Sequence, residues 1–212
     1  MPLQNRVDPF GDIVDLPMRG LFTGNRGIIH DPETRTLTTK RWTSKAWLVC
    51  SCDYKNTRRD VMATRSWTEL FFFDEATALA AGHRPCFQCR RQDADMFRAS
   101  WAEGNAKPLP SAGDIDIILH KERLQSRRKR VNMLLSPLDE LPDGAMIAAG
   151  GNAYLTMKGK QYRWSAQGYE RAHTLPFVDG LLTPPSTLRT LKAGYRPLLH
   201  PSITAMTESV PA

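Results

Sequence analysis

The sequence predicts an α+β fold with a small N-terminal lobe and a β-rich C-terminal lobe. Two strand patterns lie in the first half, at 46–49 and 67–73, where apolar and aromatic residues follow one another. Three more lie in the second half, at 145–149, 153–157 and 161–164, and turns containing glycine separate them. Helix signals stand between the two groups of strands, which makes the predicted fold class mixed.

The clearest helix signal follows the second strand. The carboxylate of Asp74 can accept the free backbone N–H groups of a helix over 75–81, and Gly82 is suited to end that helix. Pro85 prevents the helix from resuming. Apolar spacing predicts further helices over 91–101 and 115–124, and one short helix within 184–197.

The segment 104–113 has the composition of a connection between lobes. It contains Lys107, Pro108 and Pro110 and has a glycine at each end. We therefore predict a first lobe over 1–104, a β-rich lobe of unassigned role over 114–201, and a tail over 202–212.

The composition is that of a folded protein with an anionic partner. Hydrophobic residues make up 41% of the 212 residues and charged residues 24%, which is ordinary for a globular chain. The net charge of +7 and the pI near 9.4 favour a polyanionic ligand. No apolar stretch is long enough to span a bilayer, and residues 1–20 lack the apolar core of a signal peptide, so we expect a cytoplasmic protein.

The four cysteines fall into two close pairs. Cys86 and Cys89 have the C-x2-C spacing with which two thiolates can meet one tetrahedral ion, and Cys50 and Cys52 form a C-x-C pair. In a reducing compartment such pairs favour metal binding over disulfides, so we expect one structural Zn²⁺ held by all four. The alternative is that Cys86 and Cys89 alone are paired.

The residues around the second pair resemble a known family. The segment 72–89 ends a strand, continues as an alanine-rich helix and closes with Gly-His-Arg-Pro-Cys-Phe-Gln-Cys. It is similar to the zinc domain of Ada-type methylated-DNA repair proteins, and the resemblance covers about residues 40–91. The family has C-x3-C where this chain has C-x-C. The resemblance implies a zinc-bound fold, and from repair members it implies that Cys50 is a thiolate able to accept a methyl group.

Basic residues cluster around both cysteine pairs, and folding around one zinc would bring them together. We predict a nucleic-acid-binding face that follows phosphates without reading bases. It comprises Arg41, Lys45, Arg58, Arg59, Arg84, Arg90 and Arg91. The alternative is a solvated surface, with Trp42, Trp47 and Trp67 filling a core around the metal.

A second basic segment follows the predicted helix over 115–124. The run at 127–130, Arg-Arg-Lys-Arg, is consistent with either phosphate binding or an ordinary solvated turn. His120 and Glu122 are a weaker candidate for an acid/base pair, because residues two apart on a helix point to different sides.

These observations predict a zinc-dependent nucleic-acid-binding protein, with DNA favoured and a link to DNA repair or regulation. One alternative is a DNA-repair enzyme that uses Cys50 as a zinc-activated methyl acceptor. Another is a structural or interaction protein stapled by zinc. The sequence contains no P-loop, no G-x-S-x-G and no H-E-x-x-H motif, so no catalytic residue beyond Cys50 is assigned.

Overall fold

The computed structural model describes residues 2–56 and 60–208, with side chains as far as Thr204. The first half contains, in chain order, β1 (Arg6–Val7), β2 (Ile13–Val14), β3 (Phe22–Asn25), β4 (His30–Asp31), β5 (Thr36–Leu37), β6 (Leu48–Ser51), β7 (Leu70–Phe72), α1 (Glu75–Ala80), β8 (Arg84–Pro85) and α2 (Arg91–Gly104). The second half contains α3 (Ala112–Arg123), β9 (Leu124–Gln125), β10 (Arg128–Lys129), a 3₁₀ turn (Leu138–Glu140), β11 (Met146–Ala149), β12 (Asn152–Met157), β13 (Lys160–Ser165), β14 (Gly168–Arg171), β15 (Val178–Leu181), α4 (Pro185–Lys192) and α5 (Pro201–Glu208).

These elements confirm the predicted mixed α+β class. The first sheet has the strand order β2-β1-β7-β3-β6-β8, and β6 pairs antiparallel to β3 and parallel to β8. The second sheet is antiparallel, with the order β14-β13-β12-β11-β15. Within the described residues, no helix combines the length and the apolar character that crossing a membrane requires.

The helix signals of the sequence correspond to local hydrogen bonds. Asp74 is the N-cap of α1, and its carboxylate accepts from the Thr77 backbone N–H at 2.8 Å. Gly82 follows α1 with φ +89°, and a Cβ at that position would lie 2.6 Å from Cδ of Arg123. Position 82 therefore favours glycine for two reasons: the backbone has a positive φ, and a buried arginine side chain packs closely against it.

Two cores cross the boundary predicted at 104–114, so the division into separate lobes needs correction. In one core, Leu79 and Phe97 share a cluster with Leu119 and Tyr195. In the other, Phe73 of the first half shares a cluster with residues of the second sheet. Because α1 is rich in alanine, it can approach β11 closely, and both halves bury their apolar faces against each other.

The segment predicted as a tail also contributes to this packing. Residues 201–208 form α5, and Ile203 is buried in the second of these cores. This helix cannot be predicted from the sequence alone, because a proline at the first position of a helix looks like a break when no core contact is known.

Candidate metal centre and basic pocket

Three of the four cysteines meet where β6 lies beside β8. Cys50 is on β6, and Cys86 directly follows β8, with its N–H donating to the Val49 carbonyl at 3.0 Å. The Sγ atoms of Cys50, Cys86 and Cys89 lie within 4.8 Å of one another. Zn–S bonds of about 2.3 Å in tetrahedral geometry place sulfur atoms about 3.8 Å apart, so the group fits a metal ion.

The surroundings of these cysteines favour a thiolate at Cys86. Hydrogen bonds from Cys50 and then Cys89 lower the pKa of Cys86, and the Gln88 backbone N–H lies 3.4 Å from its Sγ. The same hydrogen bonding, with burial, raises the pKa of Cys50. Thiolates are the ligand form that metals take, so this group can bind a cation in place of the shared protons.

Cys52 lies apart from this group. It follows the end of β6, is exposed, and its Sγ donates to the Leu21 carbonyl at 3.5 Å. Of the four cysteines predicted to share an ion, the structure therefore brings together Cys50, Cys86 and Cys89. Cys50 itself is only 8% exposed.

Arg84 and Arg90 do not lie on an exposed face, which corrects the predicted nucleic-acid-binding set. Arg84 donates from Nε and Nη2 to the carboxylate of Asp116, both at 2.8 Å. Arg90 donates to both carboxylate oxygens of Glu75, at 2.9 and 3.0 Å. Both arginines are buried. Their charges are compensated inside the protein, since a buried cation needs a partner.

The other residues of the predicted nucleic-acid-binding set differ from Arg84 and Arg90, because those that the structure describes are exposed. Arg41 and Lys45 are exposed, and Arg91 is exposed and pairs with Asp95 on its own helix at 3.0 Å. Arg58 and Arg59 lie outside the described residues. Of Arg41, Lys45 and Arg91, Arg41 lines a cavity.

A cavity of about 450 Å³ has a lining rich in basic side chains, and we call it the basic pocket. The size lies within the range of about 300–1,000 Å³ that is usual for ligand sites. Its basic lining residues are Arg26, Arg41, Arg123, Arg127, Arg128 and Lys129. Asp12, which is exposed, is the acidic residue of the lining, and Trp42 and Trp47 contribute the indole rings.

Two buried arginines form the floor of the basic pocket around Trp47. The guanidinium carbons of Arg26 and Arg123 each lie 3.9 Å from the Trp47 ring centroid, which is cation–π distance. Arg26 donates to the Gly11 carbonyl at 2.9 Å, and Arg123 donates to the Gly82 carbonyl at 2.9 Å. These bonds hold both guanidiniums in place without neutralising them.

Positive charge on the floor is not balanced by ion pairs. In the part of the chain that the structure describes, Arg26, Arg123 and Lys129 form no salt bridge with a carboxylate. Burial lowers the pKa of Arg26 and Arg123 to about 9, and burial with repulsion from both arginines lowers the pKa of Lys129 to about 7. The site therefore favours a negatively charged ligand.

Two N–H groups of the floor also lack a hydrogen-bond acceptor among the residues that the structure describes. They are Nη2 of Arg26 and Nε of Arg123, both buried. Lys129, by contrast, donates its ammonium to the carbonyls of Ala80 and Leu182. Buried donors without acceptors are unfavourable, so an acceptor that enters the pocket would relieve that cost.

The hairpin of β9 and β10 brings the basic run to the rim of the pocket. Ser126 and Arg127 occupy its turn with φ of 50° and 66°, a backbone that two-residue hairpins require and that non-glycine residues rarely adopt. Arg127 and Arg128 are exposed there. The sequence identified this run but missed Arg26 and Arg123, because arginine is normally exposed and nothing in their spacing signals burial.

His120 and Glu122, the candidate acid/base pair, contact different residues. The Glu122 carboxylate accepts from the Ser186 hydroxyl at 2.6 Å and from its N–H at 3.0 Å. The His120 ring lies edge-on to Trp42, with centroids 6.0 Å apart. These contacts assign Glu122 to helix capping and His120 to the surroundings of the pocket.

Comparison with known proteins returned no match: no family model matches the chain, and neither a curated protein nor a solved structure does.

Proposed function

We propose that this protein is a zinc-dependent nucleic-acid-binding protein that contacts phosphates through the basic pocket. The observation that carries the proposal is the charge of that pocket, where six basic side chains and one exposed carboxylate surround two indole rings. Phosphate contacts by arginine and lysine release counterions and supply most of the affinity for nucleic acids. The overall charge of +7 supports the same ligand class.

The aromatic rings of the pocket add a second feature suited to nucleic acids. Trp42 is half-buried, and the guanidinium carbon of Arg127 lies 5.9 Å from its ring centroid. Indole rings and arginine planes provide surfaces on which bases stack without sequence preference. We therefore expect binding with little base discrimination. The resemblance to Ada-type repair proteins favours DNA and a link to repair or regulation.

Zinc is the metal we propose for Cys50, Cys86 and Cys89, because thiolates in this geometry suit Zn²⁺. The role of this zinc ion would be structural. Trp47 immediately precedes β6, the strand that carries Cys50. The backbone carbonyl of Trp47 accepts a hydrogen bond from the Arg84 N–H at 3.1 Å. A metal that joins β6 to Cys86 would therefore also fix the strand that positions the floor of the basic pocket.

The proposal predicts a strong effect of the rim arginines on binding. Replacing Arg127 and Arg128 together with alanine should weaken binding to all DNA sequences alike, by about tenfold at low salt. It should also flatten the slope of log K against log salt by up to about two units, if both side chains contact phosphates. Fluorescence polarisation with a labelled duplex and a labelled single strand at several salt concentrations measures both quantities.

The matched control removes two positive charges elsewhere. Arg163 and Arg171 lie on β13 and β14 and do not line the pocket. Their double alanine variant should bind nearly as the wild type does. Equal losses in the two double variants would mean that net charge alone drives binding. A wild-type protein that binds neither DNA form at low salt would refute the proposed function.

A further inference from the structure

We infer that the basic pocket binds the phosphomonoester at the end of a nucleic-acid strand, with the floor formed by Arg26, Arg123 and Lys129 beneath the phosphate. This inference rests on the proposed function and adds the chemical group that the pocket selects. Three observations support it: N–H groups of the floor without acceptors, positive charge on the floor without ion pairs, and the burial of the floor arginines below an exposed rim.

The unpaired donors point to an oxygen-rich ligand. Nη2 of Arg26 and Nε of Arg123 are buried without an acceptor in the described part of the chain, and both side chains line the cavity. The other hydrogen bonds of the two guanidiniums go to backbone carbonyls, to Nε2 of His83 at 3.2 Å from Nε of Arg26, and to Nδ1 of His120 at 3.1 Å from Nη2 of Arg123. A phosphate group presents several acceptor oxygens at once, and arginine planes match its geometry.

The charge of the floor matches a phosphomonoester better than a phosphodiester. Arg26, Arg123 and Lys129 form no salt bridge among the described residues. Carboxylates act on them only from a distance: Asp8 and Asp12 on Arg26, Asp116 on Arg123 and Asp8 on Lys129. A phosphomonoester carries about −1.5 to −2 charges at neutral pH, whereas each diester carries −1. The extra charge is worth most in a buried site, where the effective dielectric is low.

The depth of the floor favours a strand end over the interior of a strand. Arg26 is 1% exposed and Arg123 0%, whereas Arg41, Arg127 and Arg128 are exposed at the rim. An internal phosphodiester has a sugar on both sides and can reach only the rim. A terminal phosphate has one connection to the chain, which lets it enter the pocket while the following nucleotide lies against Trp42.

The test compares strands that differ only at their ends. Dissociation constants are measured by fluorescence polarisation for one single-stranded DNA sequence with a 5′-phosphate or a 5′-hydroxyl, labelled at the 3′ end. The converse pair, labelled at the 5′ end, carries a 3′-phosphate or a 3′-hydroxyl. We expect at least one phosphorylated end to bind about tenfold more tightly than its hydroxyl counterpart, and the two pairs identify which end is selected.

Variants of the floor link this preference to the pocket. Within each variant, the readout is the ratio of the dissociation constants for the hydroxyl and the phosphorylated strand. Arg26→Gln should bring this ratio close to one, whereas Arg26→Lys should retain part of it because it retains the charge. Circular dichroism checks that both variants fold. If Arg26→Gln does not fold, Arg26→Lys carries the test by itself, and its ratio should be smaller than that of the wild type.

The outcomes separate the inference from the proposed function. Equal affinities for phosphorylated and hydroxyl ends of both polarities in the wild type would overturn the inference. The proposed function would still hold in that case, provided that the double variant of Arg127 and Arg128 weakened binding. If no strand of any kind bound, the proposed function would fail and the inference with it.

Discussion

Replacing Cys86 with serine is expected to abolish stoichiometric zinc binding and to destabilise the whole protein. Cys86 contributes one of the three sulfur atoms that lie within 4.8 Å of one another, and it directly follows β8, the strand that pairs with β6. For such a site the free energy of metal binding is free energy of folding. Because two cores join both halves of the chain, we expect one cooperative loss of stability. Elemental analysis and thermal denaturation measure the two effects.

Cys52→Ser is the matched control for this prediction. Cys52 is exposed and lies outside the group of three sulfur atoms, so its variant should keep about one zinc per chain and the wild-type melting temperature. A Cys52→Ser variant that lost its zinc would show that Cys52 is a ligand, as the sequence predicted. A Cys86→Ser variant that kept both metal and stability would remove the metal centre from the proposal.

Replacing Glu75 with alanine should cost about 3–5 kcal/mol of the free energy of unfolding, the usual effect of removing one partner of a buried ion pair. The Glu75 carboxylate accepts from Arg90, from the Tyr195 hydroxyl at 2.6 Å and from the Leu198 N–H at 2.9 Å. Its removal leaves a buried guanidinium whose remaining ionic partner among the described residues is Asp93. The loss is measured by urea denaturation.

Arg91→Ala provides a neighbouring reference for this variant. Arg91 adjoins Arg90 in sequence, but its pair with Asp95 is exposed, and such surface pairs contribute about 0–1 kcal/mol. The two variants should therefore differ by several-fold in their effect on stability. If Glu75→Ala cost no more than Arg91→Ala, the network around Glu75 would not be what joins α1 to the C-terminal segment.

The sequence was sufficient for features that depend on neighbours along the chain. The Asp74 cap, the end of α1 at Gly82 and the strands at β6, β7, β11, β12 and β13 were all predicted, with boundaries shifted by a few residues. The approach of Cys86 and Cys89 to each other follows from their spacing. These features could be derived because caps, turns and short periodic patterns are set by hydrogen bonds and packing within a few residues.

Tertiary structure alone decided which charges are compensated and which remain free. Arg84 and Arg90 adjoin the cysteine pair in sequence, yet their partners Asp116 and Glu75 come from distant elements and neutralise them. Arg26 and Arg123 are 97 positions apart by their numbers and meet only on the ring of Trp47. Composition records the number of charges but not their neighbours, and the electrostatics of a buried group depends on those neighbours and on its loss of contact with water.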